Sequence, residues 1–280
     1  MLTYNRDGLT FRALSMGAPH AELVVLLHGF PADAESWLPV AEQLASAGYS
    51  ILIPEQRGYS SGARPRGRRA YRLSELVEDT RALIDAAGVQ PIHLVGHDWG
   101  GTVAWAFAAK YPECVSSLTI VSTPHPRALT AALWRSRQAL LSWYMLLFQL
   151  PRLPEWILTI NQGAILIRAL TKSGLNHQSA SRYVAHFKDP SLLTAALGWY
   201  RAIPFNLASP PAVRTIQSRT QFIYGAKDDF LSLTAARLTK QWVVGEYTFK
   251  LLPDQTHWIP ENSPALLAKL VLEFIKPEQA

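Results

Sequence analysis

The sequence has little that would support a disulfide-stabilised, disordered or membrane-spanning protein. Cys114 is the only cysteine in 280 residues, which excludes an intrachain disulfide and a cysteine-ligated metal cluster. Only 17% of the residues are charged and 49% are hydrophobic, which favours a large buried core over disorder. The most apolar stretch, residues 139–150, is too short to cross a bilayer, and residues 1–17 lack the apolar centre of a signal peptide. We therefore expect a soluble, globular, cytoplasmic protein.

Positive charge exceeds negative charge, with 27 Lys and Arg against 21 Asp and Glu and a net charge of +6. Five arginines lie in the basic segment "RPRGRRAYR", residues 64–72. Such a segment can bind nucleic acid or anionic lipid, but a solvated loop is the commoner structure, and Tyr71 is the only aromatic residue within it. We predict a solvated loop and no nucleic-acid partner.

Short apolar runs alternate with amphipathic patterns along most of the chain. Runs typical of buried strands occupy residues 9–14, 22–29, 50–55, 91–97, 118–123 and 220–225. Helical patterns occupy residues 36–48, 72–88 and 100–112, and each ends at a glycine or a proline. This alternation predicts an α/β fold with a mainly parallel, doubly wound sheet.

The strand pattern stops from about Pro124 to Pro211, where tryptophan, arginine and leucine recur at helical spacing. Strand and helix patterns resume after this stretch. Because the two flanking parts complete one pattern, we predict one core domain formed by residues 1–124 and 212–280. A helical cap, or lid, would be inserted at residues 125–211.

The segment "LVGHDWGG", residues 94–101, has the form strand, Gly-x-Asp-x-Gly, helix. A residue at the apex of so tight a turn has strained backbone angles, and Gly96 and Gly100 would be small enough to avoid collision. Asp98 would then stand at the carboxyl end of the sheet, beside the first amides of the next helix. The alternative is that Asp98 only caps that helix.

The loop "LLHGFP", residues 26–31, favours a catalytic role for the Asp98 turn. It follows a buried strand upstream of that turn, where a loop amide can bind an oxyanion. The backbone N–H groups of Phe30 and Trp99 would together form an oxyanion hole.

Two further loops supply an acid and a base. Asp228 and Asp229 follow a strand-like run, and His257 precedes the last helical pattern, so nucleophile, acid and histidine occur in the chain order typical of this architecture. With an ordinary carboxyl pKa of about 3.9, Asp98 would be ionised at neutral pH and would need no base to activate it. It could attack a saturated carbon to form an ester, which water can cleave, whereas a serine would leave a stable ether.

Residues 22–275 resemble the α/β-hydrolase fold, and "HGFP" and "GHDWGG" resemble the motifs of its epoxide hydrolase branch. The same motifs occur in the related haloalkane and fluoroacetate dehalogenases. The resemblance implies an alkyl ester on Asp98 that is hydrolysed by a water molecule activated by His257, with no cofactor and no metal. It assigns orientation of the histidine to Asp228, with Asp229 as the alternative.

"WYMLLFQLP" and "GWYRA" resemble the two cap tyrosine motifs of soluble epoxide hydrolases, which implies catalytic roles for Tyr144 and Tyr200. A phenol with a pKa of about 10 is neutral at neutral pH and can donate a hydrogen bond to a departing epoxide oxygen. Without the resemblance, both tyrosines would be read as core residues of amphipathic helices. Haloalkane dehalogenases commonly have an asparagine where Phe30 stands, or a second tryptophan. Fluoroacetate dehalogenases have a His-Trp pair in the cap, where this chain has Tyr144 and Met145, although Trp99 remains available to a halide.

The resulting hypothesis is an epoxide hydrolase that converts small lipophilic epoxides and water to vicinal diols, as a monomer or homodimer. A dehalogenase and a catalytically silent ligand-binding protein are the alternatives. Membrane-surface attachment through the cap is less favoured, because a lid over an apolar pocket would have the same composition. The residues expected to line a pocket or lid are Trp37, Trp99, Trp134, Trp143, Phe148 and Trp199.

Overall fold

The computed structural model describes residues 1–208 and 215–276. Within these residues, eight strands form one sheet in the order β1-β2-β4-β3-β5-β6-β7-β8. The strands are β1 (Leu2–Arg6), β2 (Leu9–Met16), β3 (Leu23–Leu27), β4 (Ser50–Pro54), β5 (Ile92–His97), β6 (Val115–Val121), β7 (Arg219–Gly225) and β8 (Tyr247–Leu252). Strand β2 pairs antiparallel with β1 and β4, and the remaining pairs are parallel. The predicted α/β fold with a mainly parallel sheet is confirmed.

The central strands differ from the edge strands in burial. Every residue of β3 and β5 is buried, because helices cover both faces of the sheet there. Strands β1 and β8 lie at the two edges, and most of their residues are partly or fully exposed. The apolar runs in the sequence do not predict these two strands, since a half-exposed edge strand needs no continuous apolar run.

The α-helices in the described ranges fall into three groups along the chain. Before the cap lie α1 (Leu38–Ser46), α2 (Leu73–Ala87) and α3 (Trp99–Lys110). Between β6 and β7 lie α4 (Pro126–Leu133), α5 (Gln138–Leu141), α6 (Trp143–Leu147), α7 (Leu153–Lys172), α8 (His177–His186), α9 (Pro190–Arg201) and α10 (Ile203–Ala208). After β7 lie α11 (Leu233–Leu238), α12 (Ile259–Asn262) and α13 (Pro264–Ile275).

Helices pack on both faces of the sheet and divide the core into two parts. Helices α1 and α13 pack together over the smaller core, which contains Trp37 and lies across the sheet from the cap. Helices α2 and α3 pack over the larger core, which continues into the cap. Helix α2 ends at Gly88, whose positive φ of 68° is readily adopted by glycine.

All regular secondary structure described in the predicted cap segment is helical, and α7 is interrupted by non-helical backbone at residues 160–163. Helix α9 is tied to the core, because the indole Nε1 of Trp199 donates a 2.8 Å hydrogen bond to the Arg57 carbonyl. The predicted boundary at residues 211 and 212, and the chain end at residue 280, lie outside the described residues. The division into core and cap domains therefore stays a prediction.

A buried ion-pair cluster supports the segment that holds α9. Arg57 donates to Asp79 through Nε at 2.6 Å and through a terminal nitrogen at 2.7 Å. Arg6 donates to the same carboxylate at 2.8 Å. The side chains of Arg57 and Asp79 are only 4% and 6% exposed, so each charge depends on its partner for stabilisation.

We expect Asp79→Asn to lower the free energy of unfolding by about 3–5 kcal/mol, because it leaves the Arg57 charge buried without a counter-charge. Urea unfolding of the purified variant measures this loss. Asp85→Asn, on the same helix, removes an exposed partner of Arg81 and should cost less than about 1 kcal/mol. Equal losses in the two variants would contradict the expected role of burial.

Candidate active site

Asp98 occupies the turn between β5 and α3 with φ 53° and ψ −122°, a conformation rarely adopted by residues with a side chain. A Cβ atom on Gly96 would collide with the backbone of Gly100, and one on Gly100 would collide with the Leu27 carbonyl. Within the described residues, the Asp98 side chain makes no capping hydrogen bond to α3. The geometry therefore favours a reactive carboxylate over a helix cap.

Two backbone amides lie next to the Asp98 carboxylate. The Phe30 N–H donates a 2.8 Å hydrogen bond to Oδ1, and the Trp99 N–H belongs to the residue that directly follows Asp98 at the start of α3. A Cβ atom on Gly29 would overlap the carboxylate, so this close approach of the loop requires glycine. The structure thus brings together the two amides predicted to form the oxyanion hole.

His257 lies between two carboxylates. Its Nδ1 is 2.7 Å from Oδ2 of Asp228, and its Nε2 is 3.6 Å from Oδ2 of Asp98. The Asp228 side chain is fully buried, and its Oδ1 accepts hydrogen bonds from the backbone amides of Phe230 and Leu231 at 2.8 and 2.9 Å. Asp229 is exposed to solvent. Of the two candidate acids, Asp228 is therefore the one that contacts the histidine.

Burial and charge act in opposite directions on the two reactive groups. Burial favours a higher pKa for Asp98, but hydrogen bonding and the charge of His257 hold the pKa below its ordinary value. Burial favours a lower pKa for His257, but the charge and hydrogen bond of Asp228, together with Asp98, raise it to about 10. At neutral pH the resting site therefore holds an Asp98 carboxylate beside a protonated His257.

Two residues not predicted from the sequence fix the backbone of His257. The His257 carbonyl accepts hydrogen bonds from Nε2 of His97 at 2.9 Å and from Oγ of Ser122 at 3.0 Å. Burial and the charge of His257 lower the pKa of His97 to about 3, so His97 stays neutral. His97 could have been noticed as a neighbour of Asp98, but nothing local identifies Ser122, which is 135 positions from His257.

Tyr144 and Tyr200 approach each other above the Asp98 turn, with ring centroids 5.9 Å apart. Tyr200 packs edge-on against Trp99 at 5.1 Å and against Phe30 at 5.4 Å. Burial raises the pKa of both phenols, and the charge of Asp98 raises it further. Both tyrosines are therefore neutral donors at neutral pH, near the carboxylate.

The predicted pocket aromatics occupy three different environments. Phe148 lies 5.8 Å from the Phe30 ring and 5.0 Å from the Tyr200 ring, and Trp199 lies 6.0 Å from the Trp99 ring. These residues surround the Asp98 site. Trp37 lies in the smaller core on the other face of the sheet. Trp134 and Trp143 are 90% and 63% exposed, so of the two predicted places, pocket or lid, they occupy the outer surface of the lid segment.

Ligand atoms of Asp33, Glu35 and His186 lie within 4.8 Å of one another, which is close enough for a metal ion. Arg182 approaches Asp33 at 3.5 Å and Glu35 at 3.6 Å, and His186 contacts Asp33 at 2.7 Å. Because Arg182 already supplies the opposing charge, we interpret this cluster as an ion-pair network that joins α8 to the loop after β3.

The comparisons agree with the fold. A family model described as alpha/beta hydrolase fold matches residues 22–264. AB hydrolase superfamily protein YfhM of Bacillus subtilis is 35% identical over 278 residues, covering 97% of this chain and 96% of that protein. Epoxide hydrolase 4 of Homo sapiens is 31% identical over 282 residues, covering 97% of this chain and 77% of that protein.

Solved structures of high similarity cover nearly the whole chain. Epoxide Hydrolase A from Mycobacterium thermoresistibile is 27% identical, with a TM-score of 0.84, and covers 98% of this chain and 97% of its own. An epoxide hydrolase of Bacillus megaterium in complex with an inhibitor is 24% identical, with a TM-score of 0.86 and coverage of 98% and 99%. At that identity the second likeness concerns the fold alone.

Proposed function

Because the chain belongs to the α/β-hydrolase fold family and is a hydrolase with epoxide hydrolase relatives, we propose that it adds water to lipophilic epoxides to give vicinal diols. The observation that carries this proposal is the pair of neutral phenols, on half-buried Tyr144 and buried Tyr200, near the Asp98 carboxylate. A carboxylate nucleophile can open an epoxide ring, and phenols supply the hydrogen bonds that the departing oxygen needs.

In the first step, an Asp98 oxygen forms a bond to an epoxide carbon, and the bond from that carbon to the ring oxygen breaks. The ring oxygen takes a proton from Tyr144 or Tyr200 and becomes the first hydroxyl group of the diol. The product is an alkyl ester of Asp98. The aromatic lining of Phe30, Phe148 and Trp99 suits a lipophilic substituent on the epoxide.

The proton on His257 replaces the proton that the tyrosine gives to the ring oxygen. In the resting site, the Asp98 charge helps to hold the pKa of His257 at about 10. Ester formation removes that charge, so the pKa of His257 falls and the imidazole releases its proton, which through solvent restores the tyrosine phenol. His257 is then neutral and able to act as a base.

In the second step, His257 removes a proton from water, and the hydroxide attacks the carbonyl carbon of the ester. The amides of Phe30 and Trp99 hold the negative oxygen that develops, and the Phe30 amide already donates to the Asp98 carboxylate in the resting site. Asp228 stabilises the imidazolium that forms. Collapse of the intermediate breaks the bond from the carbonyl carbon to the alkyl oxygen, and that oxygen takes the proton of the new carboxylic acid to complete the diol. Asp98 is again a carboxylate beside a protonated His257, as in the resting site.

The halide alternative has weaker support. A dehalogenase would use the Trp99 indole N–H to hold the departing halide, but here the Trp99 ring packs edge-on against Tyr200, with centroids 5.1 Å apart, so a phenol already lies beside it. A catalytically silent protein would have no use for the close contacts among Asp98, His257 and Asp228. The geometry therefore favours epoxide opening over both alternatives.

A substrate panel tests the proposal. Purified protein is incubated separately with styrene oxide, a disubstituted lipophilic epoxide, a haloalkane and fluoroacetate, and diol and halide are measured. We expect diol from the epoxides and little halide from the other two compounds. Halide release without diol would mean that the Asp98 carboxylate displaces a halide and that the protein is a dehalogenase, which would contradict the proposal.

We expect Tyr144→Phe and Tyr200→Phe each to lower kcat/KM for epoxides by about 10–100-fold, because one phenol remains to assist the departing oxygen. The double variant should lose about 10³-fold or more. Rapid-quench measurement should place the loss in ester formation and leave ester hydrolysis unchanged. Tyr247→Phe, on edge strand β8, is the control and should keep full activity. Equal activity in all four variants would remove the tyrosines from the mechanism.

A further inference from the structure

Seven large apolar side chains on the cap face outward and form what we call the cap stripe. Its members are Trp134, Leu140, Trp143, Leu146, Leu150, Leu153 and Trp156. The three tryptophans are 90%, 63% and 60% exposed. Isolated exposed leucines are common on proteins, but seven large exposed apolar side chains between residues 134 and 156, three of them tryptophans, mark an interaction surface.

The residues of the cap stripe lie on a different side of the cap helices from the residues that face the active site. Leu140, Trp143 and Leu146 recur every third residue along α5 and α6, so they lie on one side of this part of the cap. Tyr144 and Phe148 point the other way, where they pack against Tyr200. The inner face is explained by the active site, and the outer face is not.

The stripe is bordered by positive charge. Residues 114–154 contain no aspartate or glutamate. Exposed Arg135 and Arg137 follow Trp134, and exposed Arg152 precedes Leu153. At that end Arg68 of the basic segment donates a 3.0 Å hydrogen bond to the Gln149 carbonyl, which brings the basic segment beside the stripe.

A cavity of about 610 Å³ lies where the basic segment meets the cap. Its lining includes Arg64, Arg66, Arg68, Arg152 and the ion pair of Arg201 with Glu155. Arg64 is neutralised by Asp189. Arg66, Arg68 and Arg152 are exposed at the rim, where their guanidinium groups can bind a phosphodiester.

From these features we propose that the cap stripe docks on an anionic lipid surface, with the tryptophans and leucines at the level of the headgroups and the arginines on lipid phosphates. No helix in the described part of the chain is long and apolar enough to cross a bilayer, so this contact is peripheral. Docking would place the cap of a hydrolase for lipophilic epoxides against the phase in which such substrates concentrate.

A second copy of the chain fits this surface less well than a membrane. A symmetric dimer through the stripe would bring two faces together that both carry arginines and lack carboxylates between residues 114 and 154. Like charges would then be desolvated against each other. Anionic lipid supplies the opposite charge instead.

Vesicle flotation tests the proposal and does not depend on which substrate the enzyme uses. The full chain is mixed with vesicles of phosphatidylcholine alone or of phosphatidylcholine with phosphatidylglycerol. We expect binding to the anionic vesicles, weak binding to the neutral ones, and a loss of at least about tenfold between about 0.1 and 0.5 M NaCl.

Two sets of variants locate the contact. Combined Trp134→Ser, Trp143→Ser and Trp156→Ser should weaken binding at least about tenfold, because their apolar rings no longer enter the headgroup region. Val244→Ser, Leu251→Ser and Leu266→Ser, which replace exposed apolar residues elsewhere, form the matched control and should bind normally.

Charge reversal provides the second set. Arg135→Glu with Arg137→Glu should weaken binding at least about tenfold, since each basic residue near an anionic surface contributes about fivefold. Lys250→Glu with Lys269→Glu makes the same change in net charge away from the cap and should have a smaller effect.

Specific outcomes would overturn the proposal. These are absence of binding to anionic vesicles, or equal binding by wild type and the triple tryptophan variant. A third outcome is a wild-type protein that is a dimer in sedimentation velocity and does not bind vesicles, together with a triple tryptophan variant that is a monomer. This outcome would assign the cap stripe to a contact between two copies of the chain. Unchanged thermal midpoints of the surface variants exclude misfolding as the cause of weaker binding.

Discussion

Asp98→Asn is expected to lower diol formation by about 10⁴-fold or more, because a neutral amide cannot attack the epoxide carbon and no ester forms. The change keeps the size of the side chain and the oxygen that accepts the Phe30 N–H. Loss of activity would therefore reflect loss of the nucleophile and not of the turn. Steady-state product analysis with styrene oxide measures the effect.

Asp229→Asn is the matched control for this experiment. Asp229 carries the same functional group and is exposed, whereas Asp228 contacts His257. We expect Asp229→Asn to retain nearly full activity. Diol formation by Asp98→Asn at a rate near that of wild type would mean that water attacks the epoxide directly, and the covalent mechanism would then be wrong.

The second large effect concerns His257. We expect His257→Gln to form the Asp98 ester and then to hydrolyse it about 10³-fold more slowly, because no base activates the water. One equivalent of epoxide should be consumed rapidly, followed by almost no turnover. Intact-protein mass spectrometry should find a mass gain equal to that of the epoxide.

This result would show that His257 is needed for ester hydrolysis and not for ester formation. His177→Gln, which changes an exposed histidine of the cap, should turn over normally and carry no adduct. Loss of activity in His257→Gln without an adduct would place the histidine in ring opening and contradict its assignment as the base for ester hydrolysis. The burst phase and the adduct together therefore test the charge balance between Asp98 and His257.

Most of the fold could be predicted because its central elements have strong local patterns. Fully buried strands such as β3 and β5 must be apolar throughout, and α2 ends at a glycine with a positive φ. The edge strands β1 and β8 were missed because their residues are largely exposed and satisfy no simple period. Helical character of the cap was predicted from spacing, but not the direction in which its side chains point.

The sequence by itself determined the features whose cause is local. The turn that presents Asp98 needs glycine on both sides, and the approach of the Phe30 amide needs Gly29, so both are visible as short motifs. The order of nucleophile, acid and histidine along the chain is likewise a property of the sequence. These features were sufficient to predict an α/β hydrolase.

Only the tertiary structure decided the features that depend on contacts between distant segments. The choice of Asp228 over Asp229 rests on a contact across 29 positions, and the support of His257 by Ser122 spans 135 positions. The same holds for the cap. Its content of tryptophan, leucine and arginine is the same whether these residues face a pocket or solvent, so composition does not reveal the direction of each side chain. Trp199 faces inward and Trp143 outward because α9 is held against the core by Arg57, whereas the outer side of α6 has no element of the described chain packed over it.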